Sequence, residues 1–91
     1  MAGHLILVPT PIGNLGDLTE RSRQALRLAE LVACEDTRRT GKLLEHLGLE
    51  KTLLRFDDHA GQGAFDRVAA ELRAGRTVAY CSDAGMPGIN D

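Results

Sequence analysis

Four short apolar runs separated by stretches of helical period leave this chain few folds to choose from. The runs are His4 to Val8, Leu31 to Cys34, Thr52 to Phe56 and Thr77 to Cys81. The first lacks in/out alternation, as a parallel strand covered on both faces would. Crossovers of this length force parallel strands, and right-handed crossovers put helices on the sheet faces. The predicted class is therefore α/β, a parallel sheet with helical crossovers.

The helical stretches carry their own punctuation. Asp17 offers an N-cap with Glu20 completing a capping box, and Ser22, Ala25, Leu26 and Ala29 then share one face. Asp36 or Thr37 caps a second helix with Thr40, Leu43, Leu44 and Leu47 on its apolar side, and Gly48 stops it. Phe65, Val68, Ala69 and Leu72 mark the face of a third, which Gly75 closes.

In an open parallel sheet, ligands bind beyond the carboxyl ends of the strands. That edge should gather the segments Thr10 to Gly16, Glu35 to Arg39, Asp57 to His59 and Ser82 to Asp91 into one site. The first and last are dense in Gly and Pro. Gly85 and Gly88 allow close backbone approach, Pro87 stiffens the turn, and Asp83 gives a fixed acceptor at a strand tip, although such composition also suits a plain surface turn.

Ninety-one residues make at most one domain, smaller than the usual ~100 to 150. With 43% hydrophobic and 26% charged residues and a formal charge of -2, the chain reads as a soluble globular domain. Charge alone points to no nucleic acid. No basic leader opens it and no stretch approaches the ~18 apolar residues of a membrane span, so no membrane partner and a cytoplasmic location are expected. Cys34 and Cys81 have no metal-spaced neighbours, so no metal is expected and both read as buried, reduced thiols.

Ser82-Asp-Ala-Gly-Met-Pro-Gly-Ile-Asn-Asp91 resembles a signature of the 16S rRNA 2'-O-ribose cytidine methyltransferases, within the tetrapyrrole (corrin/porphyrin) methylase superfamily. Val8-Pro-Thr-Pro-Ile-Gly-Asn-Leu-Gly-Asp-Leu-Thr19 is similar to that family's first-strand loop, and Cys34-Glu-Asp-Thr-Arg38 to another of its segments. Three motifs in order span essentially the whole chain.

The resemblance implies a two-domain enzyme, usually a homodimer, with S-adenosylmethionine held between domains. It implies methylation of a cytidine 2'-oxygen in small-subunit rRNA. It also implies a five-stranded N-terminal sheet, of which four strands are visible. Residues 1–91 would then be a truncated N-terminal domain without its C-terminal partner, with the signature cut before its usual Pro-Gly. Alone it should bind cofactor weakly or not at all.

Carried over by position, the cofactor loops fall on Pro11, Ile12 and Gly13 and on Asp83, Ala84, Gly85, Met86, Pro87 and Ile89. Methyl transfer from a sulfonium is an in-line displacement, which needs alignment more than a covalent intermediate. A ribose hydroxyl must lose a proton, and Asp83, Asn14, Glu35, Asp36 and His59 are candidates in decreasing order. Glu35 and Asp36 read equally as helix-start carboxylates, and His59 as a loop residue. Arg38, Arg39 and Lys42 read either as rRNA phosphate contacts or as a solvated face pairing with Glu45.

Met86 and Ala60 depart from the family's usual Thr and Asn. Methylation of a tetrapyrrole or other small acceptor, and a non-catalytic binding or dimerisation module, are the alternative readings. A dinucleotide site is weaker, because no Gly-x-Gly-x-x-Gly follows the first strand.

Overall fold

The structure is a computed structural model and describes residues 3–10, 18–57 and 60–82. Among the described residues four strands alternate with three helices: β1 (His4–Pro9), α1 (Glu20–Leu28), β2 (Leu31–Cys34), α2 (Thr37–Leu47), β3 (Thr52–Arg55), α3 (Gln62–Arg73) and β4 (Thr77–Ser82). All pairings are parallel, in the order β1-β4-β2-β3. The α/β class with helical crossovers is as the apolar runs require.

The two central strands explain their own sequences. In β2 every residue of Leu-Val-Ala-Cys is buried, because α1 and α2 cover one face of the sheet and α3 the other. On the first face Val8, Val32, Cys34, Ala79 and Cys81 meet Ala25 and Leu26 of α1 and Leu43 and Leu44 of α2. On the second, Leu31, Ala33 and Val78 meet Val68 of α3, with Leu72 and Tyr80 packed alongside. Cys34 and Cys81 are buried and stand opposite each other in register.

Among the described residues, the continuous apolar run of β1 is not covered on both faces as expected. Leu5 and Leu7 are 52% and 51% exposed, while Val8 is fully buried. They stand opposite Val78 and Tyr80 in register, on the α3 face, and β1 is the edge strand beyond the reach of α3. An apolar run alone cannot distinguish a central strand from an edge strand.

Two helix expectations are also corrected. α1 starts at Glu20 with Thr19 as its cap: Thr19 Oγ1 accepts from the Ser22 backbone N–H at 3.1 Å. Thr19 does what Asp17 was expected to do, and Asp17 lies outside the described residues. In α3 the sheet-facing residues are Ala64 and Val68, with Leu72 half-buried, so Phe65 is left 60% exposed. A stripe at i, i+4, i+8 beginning on Ala64 uses a small residue for close approach and turns Phe65 aside by one helical step.

α2 follows its sequence closely. Asp36 Oδ1 accepts from Arg38 N–H at 2.9 Å and Arg39 N–H at 3.2 Å, and Gly48 ends the helix at φ 72°, where a side chain would be strained. Lys51 ties β3 back to α1, its Nζ donating to the carbonyls of Arg27 and Ala29 at 2.8 Å each. Those are carbonyls that a helix end leaves without intrahelical partners.

Candidate functional site

Parallel strands bring all four carboxyl ends to one edge, and the strand order decides which become neighbours. β1 pairs with β4 through Pro9 and Ser82, although 72 residues separate Thr10 from Ser82. The Ser82 carbonyl accepts from the Thr10 backbone N–H at 3.0 Å and from Thr10 Oγ1 at 2.9 Å. Both residues are buried. The first-strand loop and the signature loop therefore leave the sheet from adjacent points, where an open α/β fold forms its crevice.

The loops themselves, with Pro11, Ile12, Gly13, Asn14, Asp83, Ala84, Gly85, Met86, Pro87 and Ile89, lie outside the described residues, as does His59. The described part of the edge holds Thr10, Ser82, Glu35 to Arg39 and Phe56 to Asp57. Beside β4, the Cys34 carbonyl accepts from Phe56 N–H at 2.8 Å, which draws the β3 exit against β2. Arg55 Nε pairs with Asp57 Oδ2 at 3.0 Å.

Of the two carboxylates after β2, Asp36 is the helix cap. The Arg39 backbone N–H, joined by that of Arg38 and by both guanidinium charges, holds its carboxyl below the ordinary value, against the opposing effect of desolvation. A carboxylate so held is a poor proton acceptor near neutral pH. Glu35, half-buried beside it, keeps its place among the candidate bases.

Arg38, Arg39 and Lys42 are exposed and, with Asp36, line a depression of about 450 Å³ at the start of α2. Arg38 and Lys42 stand outside the ion pairs of the described residues, and neither pairs with Glu45 there. Among the described residues no group of His, Cys, Asp and Glu is arranged to hold a metal, and no helix is long and apolar enough to cross a membrane.

Sequence reasoning missed Thr10 as an individual residue. It sits between two prolines that have no N–H to give, and that was the signal available.

Residues 4–91 match the sequence profile of the Tetrapyrrole (Corrin/Porphyrin) Methylases. The chain is 48% identical over 89 residues to a Synechocystis protein named Ribosomal RNA small subunit methyltransferase I, covering 98% of this chain and 32% of that protein. Proteins of the same name from Escherichia coli O157:H7 and Erythrobacter litoralis are 47% identical over 89 residues and 54% identical over 68. These alignments cover 98% and 75% of this chain and 31% and 24% of the relatives. The chain thus spans about a third or less of the length of the curated relatives it matches.

Proposed function

We propose, since this chain belongs to the Tetrapyrrole (Corrin/Porphyrin) Methylases, that it forms the N-terminal α/β domain of a two-domain enzyme that methylates the 2'-oxygen of a cytidine in small-subunit rRNA. The observation that carries the reading is the double hydrogen bond from Thr10 to Ser82, which roots the two resemblance-bearing loops side by side. The names of the relatives favour an rRNA acceptor over a tetrapyrrole.

S-adenosylmethionine would supply an electrophilic methyl on a sulfonium. Pro11 to Gly13 and Asp83 to Ile89 would hold it, chiefly through backbone groups, which tolerates Met86. Asp83, or else Glu35, would take the proton of the acceptor hydroxyl, and Asn14 would orient that hydroxyl through its amide. Arg38, Arg39 and Lys42 would meet rRNA phosphates, fixing orientation more than sequence. The enzyme would act in the cytoplasm as a homodimer.

A fifth strand in this same sheet, as the resemblance implies, has support in the topology. From β1 to β2 to β3 the chain moves one way with α1 and α2 on one face, and from β3 to β4 it reverses with α3 on the other. One more right-handed step in that reversed direction puts a helix over Leu5 and Leu7 and a fifth strand against the free edge of β1. The uncovered leucines lie where that helix would pack.

The test is transfer of labelled methyl groups from S-adenosylmethionine to small subunits from cells lacking the enzyme, followed by mapping of the modified nucleoside. Label on a 16S rRNA cytidine 2'-oxygen is expected of the full-length enzyme. Label on a tetrapyrrole, or none, would defeat the reading.

A further inference from the structure

We propose that the hydroxyl of Thr10 is a positioning residue for methyl transfer, a clamp that fixes where the two cofactor loops leave the sheet. The inference rests on the methyl-transfer reading above and assigns the reaction a residue at the root of the first loop, ahead of the cofactor-holding positions Pro11 to Gly13.

The argument starts from Pro9 and Pro11, neither of which has a backbone N–H. Between them the chain has one backbone donor, the N–H of Thr10, and it goes to the Ser82 carbonyl at 3.0 Å. A single hydrogen bond defines a distance but leaves rotation about it free. Thr10 Oγ1 donates to the same carbonyl at 2.9 Å. Two donors from one residue on one acceptor also fix the orientation of the peptide that enters Asp83.

The bond is buried at both ends, with Thr10 7% and Ser82 4% exposed, so water competes poorly for it. Removing the hydroxyl does not orphan the carbonyl, because the backbone donor stays. Loss of the clamp should therefore cost little stability but loosen alignment of the sulfonium, where displacement by about 1 Å costs ~100-fold in rate. A merely structural threonine would show the opposite balance.

In the full-length enzyme, Thr10→Val keeps shape and removes the hydroxyl, and Thr10→Ser keeps the hydroxyl. We expect Thr10→Val to lower kcat/KM for S-adenosylmethionine roughly 10- to 100-fold with a nearly unchanged melting temperature, and Thr10→Ser to restore most of it. Amide exchange in residues 83–91 should accelerate in Thr10→Val and stay near wild type in Thr10→Ser. Unchanged kinetics and exchange in Thr10→Val, or a lower melting temperature with unchanged kinetics, would overturn the proposal. Should the wild-type enzyme transfer no methyl group, the functional reading falls, and the exchange comparison alone decides the clamp.

Discussion

Leu7→Ala in the full-length enzyme measures whether the open face of β1 is covered there. In the described residues Leu7 is 51% exposed and its strand neighbour Val8 is fully buried. Burying a whole leucine side chain is worth about 1.5 to 3 kcal/mol, so a half-covered Leu7 contributes on the order of 1 kcal/mol. Truncation on an open face should cost no more than that. If a further helix packs over Leu5 and Leu7, the same change removes a core side chain and leaves a cavity, at roughly 2 to 5 kcal/mol. Urea denaturation of wild type, Leu7→Ala and the control Leu28→Ala, which is 65% exposed at the end of α1, separates the cases. The expected result is a loss above about 2 kcal/mol for Leu7→Ala and below about 1 for Leu28→Ala. Equal small losses would refute the topological argument and leave the β1 face open in the whole enzyme.

The helix caps give two further outcomes. Thr19→Ala removes the acceptor of the Ser22 N–H and should destabilise by about 1 kcal/mol in the same denaturation assay. The lowered pKa of Asp36 contributes stability that is fully present above the ordinary carboxylate range and is lost as pH falls through its depressed folded value. Asp36→Asn should therefore flatten the acid limb of a stability-versus-pH curve, and an unchanged limb would count against the cap. At the start of α2, Arg38→Ala and Lys42→Ala should each reduce the salt-dependence slope of small-subunit binding by about 1, and unaltered slopes would return these residues to a solvated face. Cys34 and Cys81 should resist thiol reagents while the protein is folded, and rapid native labelling would contradict their burial.

What was legible in the sequence follows from which forces are local. α2 could be read closely, its cap narrowed to Asp36 or Thr37, because cap, apolar stripe and terminal glycine are all local to the helix. The runs of β2 and β4 are apolar because both faces are covered, and composition reports that directly. β1 has the same composition, yet strand order made it an edge, a property of pairing that no window of sequence contains. Phe65 fooled the periodicity because Ala64 also fits a helical stripe, and the smaller residue lets the helix come closer to the sheet. That all four strands run parallel and end at one edge was legible from crossover lengths alone. That Thr10 would bond twice to Ser82 was not, since it depends on β1 pairing with β4.

The most direct measurement is to irradiate the full-length enzyme with methyl-labelled S-adenosylmethionine and map the crosslinks after trypsin. Cleavage at Arg21 and Arg76 separates residues 1–21, which carry the first loop, from the peptide that begins at Thr77 and carries the second. Label on these two peptides, reduced in Asp83→Ala and retained in Glu45→Ala, is the predicted result. Label confined to other peptides would contradict a cofactor site rooted where Thr10 meets Ser82.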